Sequence, residues 1–163
     1  MTQALILKAG KIIGDRFCKV HLLKTGIGVG VRKYLNLSST NFEYYAVECE
    51  EMTQGMIFLE TDFHKSRNGK NLAYVDFLAI APWNRQEIAR NPKYRGTGSL
   101  LMYLAVSRSE QLGYKYRTGL HSLPAARTFY GKLGMRDLGP DPNYQNLHYF
   151  EFDEGTGKAF IRR

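Results

Sequence analysis

The ten residues from Lys93 to Met102, Lys-Tyr-Arg-Gly-Thr-Gly-Ser-Leu-Leu-Met, constrain this chain more than any other stretch. Gly96 and Gly98 let the main chain approach a ligand that a Cβ would keep away. An apolar pattern with helical spacing follows at once, through Leu101, Leu104, Ala105 and Leu112, and Gly113 supplies a C-terminal cap. Loop amides that open a helix make an anion site, because several unpaired N–H groups and the helix dipole point the same way. Lys93 and Arg95 add positive charge, so a phosphate-bearing ligand is the natural guest. The segment is neither a Walker loop, which needs Gly-Lys-Ser/Thr, nor a dinucleotide fingerprint, which needs a third glycine. Gly-x-Gly before a helix also occurs in ligand-free turns.

The segments on either side of this loop read as a mixed fold. Phe42–Cys49, Met56–Thr61 and Leu72–Ile80 are strand-like runs, and Asn68-Gly69 in the second link favours an antiparallel meander. Pro82 ends the third run. A polar link from residue 82 to 94 has room for one helical turn around Gln86–Ala89. Its Trp83, Asn84 and Glu87 belong either to a substrate rim or to a surface excursion. After the loop helix, Tyr116–Leu120 reads as a strand. Pro124 opens a second helix with Ala126, Phe129, Tyr130 and Leu133 on one face, closed by Gly134. Arg136–Leu138 and Leu147–Phe152 are two last strands around the turn-rich Gly139–Asn143. Three strands, a helix, a strand, a helix and two strands predict a mixed α/β sheet with helices on its faces.

Residues 1–41 are harder to read. Ala4–Leu7 suits a strand or a helix start, and Ile12–Leu23 mixes both periods. Gly26, Gly28 and Gly30 read as a flexible connector or bend rather than a second ligand loop, and Ser38–Asn41 as a loop. At 163 residues the chain suits one domain. No apolar run is long enough to span a bilayer, so no membrane partner is expected. Cys18 and Cys49, far apart in sequence, suggest no disulfide framework and no metal spacing, and hence a reducing cytoplasm. A net charge of +8 suits an anionic ligand or nucleic acid, although the basic residues are spread along the chain.

Two motifs together carry a family resemblance. Lys93-Tyr94-Arg95-Gly96-Thr97-Gly98 resembles the Gln/Arg-x-x-Gly-x-Gly/Ala loop of the GNAT superfamily of acyl-CoA-dependent N-acetyltransferases, with Lys93 replacing the usual Gln or Arg. The run Ala126–Met135 (Ala-Arg-Thr-Phe-Tyr-Gly-Lys-Leu-Gly-Met) resembles the family's second recurring segment, without a gap. The likeness spans residues 72–138. It implies one domain over 1–163, a GNAT-like α/β (α+β) fold with a mostly antiparallel twisted sheet flanked by helices, and a cofactor-binding core at 72–138. It also implies that Lys93, Tyr94, Arg95, Gly96, Thr97, Gly98 and Ser99 hold the pyrophosphate of coenzyme A, and that main-chain groups of Ala79 and Ile80 hold its pantetheine arm. Tyr130 would lie beside the thioester sulfur and assist the leaving thiolate, although its place on an apolar helix face also suits a core residue.

An ammonium acceptor must lose a proton before it attacks, which calls for a nearby base. The resemblance implies Asp76, which falls where relatives often place Glu or Asp near the acceptor amine, as the first candidate; Glu60 is the second, with a plain ion pair the alternative for each. His121, at a strand end, is a substrate or proton-relay residue or a structural histidine. Many relatives carry Asn where this chain has Leu123, and Ser122 is expected to do no more than cap the following helix. The resemblance implies direct acetyl transfer from acetyl-CoA to an amine: a small molecule, a protein amino group or an aminoacyl-tRNA. Nucleic acid then enters only as substrate, and a dimer is compatible with the sequence. Two other classes remain open at this point, a basic nucleic-acid-binding module and an acyl-CoA-binding regulatory protein without turnover. A cysteine nucleophile is disfavoured because neither cysteine is near the cofactor segments.

Overall fold

A computed structural model describes residues 18–22, 41–85 and 87–163. Its strands are β1 (Cys18–Leu22), β2 (Phe42–Cys49), β3 (Met52–Glu60), β4 (Ala73–Ile80), β5 (Thr118–Ser122), β6 (Arg136–Asp141) and β7 (Leu147–Phe152). They are hydrogen-bonded in the order β1-β2-β3-β4-β5-β7-β6. β4 and β5 run parallel, whereas β1 with β2, β5 with β7 and β6 with β7 are antiparallel. The helices are α1 (Thr97–Gln111), α2 (Arg127–Leu133) and α3 (Glu154–Ile161). The expected mixed sheet with helices is therefore present. The chain clusters into two compact units, the first holding the described residues up to Phe58 with Phe77–Met102, the second Leu59–Asp76 with Tyr103–Arg163.

In the first unit, Glu50 and Glu51 both take left-handed φ angles of 52° and 61° and join β2 to β3 in a tight hairpin turn. Pairing resumes at once, so β3 starts at Met52 rather than at the expected Met56. Gln54 lies inside this early part, 1% exposed, and donates to the carbonyls of Met52 and Cys49. Cys18 and Cys49 stand directly opposite on β1 and β2, with Cα atoms 4.4 Å apart, and form a disulfide. This overturns the expectation of two unbridged cysteines. The antiparallel register cancels a sequence separation of 31 residues, and a directly opposed pair without mutual backbone hydrogen bonds has about this spacing. The disulfide removes the cysteine argument for a reducing compartment. No helix among the described residues is long and apolar enough to cross a membrane. The readings of Ala4–Leu7, of Gly26, Gly28 and Gly30, and of Ser38–Thr40 fall outside the described residues, as does Gln86.

In the second unit, strand alternation separates an apolar face from a polar one. Thr118 and Leu120 of β5 oppose Phe152 and Phe150 of β7, all buried. Gly119 and His121 oppose Glu151 and Tyr149 on the other face. The ring of Phe160 on α3 stacks on Phe152, with centroids 5.1 Å apart. α3 lies beyond the last expected strand and carries a weak sequence signal, because Gly155 and Gly157 depress helix propensity. Its start is fixed by a capping box, in which Asp153 and Thr156 each accept the other's main-chain N–H. β6 runs on to Asp141 through a register shift between Asp137 and Pro140, where the sequence suggested only a turn. Ser122 does not cap the second helix. Its hydroxyl donates to the carbonyl of Leu123, and a 3-10 turn over Pro124–Ala126 precedes α2.

Candidate functional site

The glycine loop belongs to the first unit, and a polar chain holds it. Trp83 Nε1 and Asn84 Nδ2 both donate to Gln54 Oε1, at 2.9 and 2.8 Å. Asn84 Oδ1 in turn accepts the main-chain N–H of Tyr94 at 3.0 Å. The Tyr94 side chain is 2% exposed, and Thr97, also buried, donates its hydroxyl to the Tyr94 carbonyl. These two side chains anchor the loop from within. Gly96 has φ 87°, which an L side chain would strain. The first intrahelical bond runs from Leu100 N to the Gly96 carbonyl, so the amides of Thr97, Gly98 and Ser99 precede it at the positive end of α1. No acidic residue occupies that first turn. Arg95 is exposed beside it. Lys93 is exposed but paired with Glu50, whose hydrogen bond raises the lysine pKa.

The two strand-end positions differ. The Ala79 carbonyl lies over Gly55 of β3, 2.9 Å from where a Cβ would stand, and Ala81 N donates to the Gln54 carbonyl. Ala79 is therefore directed toward β3. The Ile80 carbonyl accepts Arg85 Nε at 3.0 Å instead. Strand alternation gives Leu78 the edge used by Ile80, a position the sequence reading passed over.

The remaining sequence candidates lie in the second unit. Tyr130 on α2 is 7% exposed, with its ring 5.8 Å from that of Phe150, and burial pushes its pKa up to about 12. Asp76 and His121 are the first residues beyond the parallel β4–β5 ladder, which ends at Val75 opposite Leu120. Around His121 the structure assembles groups that the sequence reading did not bring together. The hydroxyl of Tyr74 is 2.7 Å from His121 Nδ1, and His121 Nε2 is 3.1 Å from Asp141 Oδ2. Asn143 N donates to the other Asp141 oxygen, and this bond, then the one from His121, holds the Asp141 carboxyl below its usual range. A carboxylate only accepts, so in the neutral ring Nε2 carries the proton and Nδ1 accepts from Tyr74. Tyr144 stacks on the His121 ring at 3.8 Å and 8°.

Glu60 stands 3.1 Å from His64 Nε2, and the His64 ring lies 3.8 Å from that of Tyr74. Burial, then the Asp76 charge, raises the Glu60 pKa, and partial desolvation raises that of Asp76, though its side chain still reaches solvent. Burial, then the field of His121, lowers that of His64. A cavity of about 350 Å³ opens among these groups, lined by His64, Tyr74, His121, Asp141, Tyr144 and Tyr149 with Lys65, Ser66 and Arg67. One signal for Tyr74 was available in the sequence: two residues before Asp76, it shares that residue's strand face. None marked Asp141 or Tyr144, which follow an unrecognised strand bulge.

No protein-family model matches the chain, and no curated protein sequence matches it. Solved structures do. The chain is similar to FeeM, an N-acyl amino acid synthase from uncultured soil microbes, with 13% identity, TM-score 0.62, and coverage of 87% of this chain and 94% of that one. A GNAT family acetyltransferase from Elizabethkingia anophelis with acetyl-CoA bound gives 12% identity and TM-score 0.61 over 83% and 97%. Naa50 of Arabidopsis thaliana, in complex with a bisubstrate analogue, gives 13% and 0.55 over 83% and 98%. At such identities the likeness is one of fold. The fold is that of the GNAT acetyltransferases, as the two sequence motifs implied.

Proposed function

We propose that the protein is an N-acyltransferase that moves the acetyl group of acetyl-CoA directly to an amine, with residues 1–163 acting as one such domain and 72–138 as its cofactor-binding core. The observation that carries this reading is the start of α1. There the amides of Thr97, Gly98 and Ser99 precede the first intrahelical bond behind Gly96, with no acidic residue in that turn and Arg95 exposed beside it, an arrangement suited to an anion. The donor set fits a pyrophosphate. Arg95 through Ser99 would hold it, with Lys93 released from Glu50 to add a charge, and the main chain of Ile80 would take the pantetheine arm after Arg85 swings away. Acetyl-CoA supplies an acyl group on a thioester, which a neutral amine attacks without prior covalent transfer to the protein. Tyr130 then offers the departing thiolate a hydrogen bond. The fold neighbours are acetyl- and acyltransferases, one with acetyl-CoA bound, which supports the same assignment.

Nucleic acid enters this reading as the carrier of an aminoacyl group, for which the net charge of +8 provides attraction. Calorimetry with acetyl-CoA, followed by a screen of amines for release of free thiol, tests the proposal. Binding with acceptor-dependent thiol release is the expected result. No binding would remove the cofactor and the reaction together, while binding without turnover on any amine would leave a regulatory acyl-CoA protein.

A further inference from the structure

The chain Tyr74–His121–Asp141 is the only run of three titratable side chains joined end to end by the described side-chain hydrogen bonds that also lines a cavity. Nothing in the loop chemistry above uses it. Its walls are suited to a cation. The rings of Tyr74, Tyr144, Tyr149 and His121 line the space, and aromatic faces attract ammonium groups. Glu60 and Asp76 add negative field, felt at both Tyr74 and Tyr144, whose hydroxyl pKa values rise through burial first and these charges after. The two cationic lining residues have hydrogen-bond partners of their own, although the Arg67 charge is still felt at Asp141 and Tyr149. Lys65 is hydrogen-bonded to Asn71, and the Arg67 guanidinium donates to the Leu138 carbonyl at 3.3 Å. A cavity of about 350 Å³ is near the small end of ligand sites, which span about 300–1,000 Å³.

We propose that this cavity is the acceptor site, that it takes a small primary alkylammonium, and that Tyr74 receives the ammonium proton while passing its own to His121. The inference rests on the acyltransferase reading for its chemistry. Tyr74 is the catalytic residue, because its oxygen meets the substrate. His121 and Asp141 are positioning residues that act through it. The step balances. The ammonium gives one proton to Tyr74 Oη, the Tyr74 proton moves to His121 Nδ1, and the imidazolium keeps its Nε2–H on the Asp141 carboxylate. The free amine forms the new N–C bond as the C–S bond breaks, and the second nitrogen proton leaves with the thiol. His121 later returns its proton to solvent.

Several features of the surroundings support this path. Burial pushes the Tyr74 hydroxyl far above its usual pKa, so it does not hold a negative charge and must relay the proton in one motion. Asp141 stays ionised. His64, the other imidazole facing the cavity, is held neutral by burial and by His121 itself, so it does not compete for the proton. Tyr144 and Tyr149 present only neutral rings to His121. Glu60 and Asp76 nearby, and Glu151 behind Tyr149, add negative charge that favours the cation's arrival, against the positive charges of Lys65 and Arg67 on the lining.

The test uses the full chain with ¹⁵N-labelled histidine. Without acetyl-CoA, titration with n-butylamine as its hydrochloride is expected to shift the His121 imidazole signals and leave those of His148, paired with Asp137 away from the cavity lining, in place. A His121 signal that does not move overturns this inference, whether or not acetyl-CoA binds. Absence of acetyl-CoA binding overturns the acyltransferase reading instead, so the two failures are distinguishable. With an amine selected by thiol release, His121→Asn is expected to lose on the order of 10²-fold in kcat/KM with acetyl-CoA affinity unchanged. Its rate should fall about tenfold per pH unit below the acceptor's own pKa, because only amine already neutral in solution reacts, while the wild type holds its rate to lower pH. Added imidazole should restore part of the loss. Identical pH profiles in the two proteins would overturn the relay. Tyr74→Phe removes a single oxygen and is expected to give the same profile, which keeps the test decisive should His121→Asn not fold.

Discussion

The glycine loop of the first unit and the histidine cavity of the second offer a ligand opposite materials. The loop presents main-chain amides from consecutive residues. Its distinctive side chains, Tyr94 and Thr97, are turned inward to hold it. The cavity is built around joined side chains, on residues drawn from the segment after β3, from β4, from β5, and from the β6–β7 region. A site made of main chain breaks when a Cβ is added, and one made of side chains breaks when atoms are deleted. The two should therefore respond to different substitutions and in different assays.

The largest expected effect is on the loop. Gly98→Val places a branched side chain among the amides of α1's first turn, which any anion must approach closely. Loss of two charge-assisted contacts at about 1.5–3 kcal/mol each corresponds to a drop in acetyl-CoA affinity on the order of 10²–10⁴-fold. Calorimetry on a variant with unchanged circular dichroism checks this. Undiminished affinity would break the cofactor assignment, and amine-induced shifts at His121 should survive in either case.

Tyr130→Phe comes next and touches turnover only. Full proton transfer from a tyrosine pushed up to about 12 to a thiolate of about 8.5 would run uphill by roughly 5 kcal/mol. A hydrogen bond to the leaving group is therefore the role this residue can fill, and the expected loss in kcat is on the order of 10²-fold with acetyl-CoA affinity intact. The loss should shrink for an acyl donor whose thiol is more acidic. Wild-type turnover in the variant would leave Tyr130 as packing against Phe150.

The same contrast explains what the sequence disclosed. The loop was legible because its chemistry is local: Gly96, Gly98 and the helix they open are neighbours in the chain, and the pattern survives without any tertiary contact. The second motif around Tyr130 was legible for the same reason, as one helix face closed by a glycine. Asn84 was not, since its role is to bridge Gln54 and Tyr94 across strand and loop, and neither residue signals the other. The Cys18–Cys49 pair and the Tyr74–His121–Asp141 chain each depend on register, which is set by pairings far apart in sequence. Asp141 in particular reaches His121 only because β6 continues through its bulge. Asp76 was legible through the family resemblance and His121 through its place at a strand end, but what connects His121 was not.

A pair of glycines, one in each region, sharpens the comparison at smaller magnitude. A Cβ on Gly55 would meet the Ala79 carbonyl at 2.9 Å, Thr97 Cγ2 at 3.0 Å and Leu101 Cδ1 at 3.1 Å. Those neighbours belong to β4 and to the start of α1, so Gly55→Ala should disturb the loop. A Cβ on Gly119 would meet Tyr149 Oη at 2.4 Å, and that hydroxyl is tied to Glu151. Overpacking of this kind costs about 1–3 kcal/mol, or a fall in Tm of roughly 2–10 °C. The carbonyl cannot rotate away, so Gly55→Ala is expected at the upper end. Only Gly55→Ala should weaken acetyl-CoA binding, and only Gly119→Ala should weaken the n-butylamine response at His121. A reversed or shared pattern, read by melting and by the two titrations, would mean that the regions are not separately built.

The smallest effect concerns the charge on the cavity wall, and its sign is fixed by linkage. The Glu60 pKa is raised in the folded protein, by burial first and by Asp76 second. The folded state therefore binds this proton more tightly than the unfolded chain does. The contribution to stability is fully present below the unfolded pKa of about 4.3 and is lost as pH rises through the folded value. At neutral pH the ionised carboxylate thus weakens the fold slightly, and the proximity of His64 does not offset it, because burial keeps that imidazole neutral. Glu60→Gln removes the charge and keeps the shape. It should raise Tm at pH 7 by about 2 °C, leave it nearly unchanged near pH 4, and reduce the affinity for n-butylamine, which loses one of the carboxylates around the cavity. Thermal melts at the two pH values check the sign. A fall in Tm at pH 7 would show that Glu60 is held there by a favourable ion pair with a protonated His64. That would make His64 a second seat for the acceptor's proton and weaken the case for His121 as its sole destination.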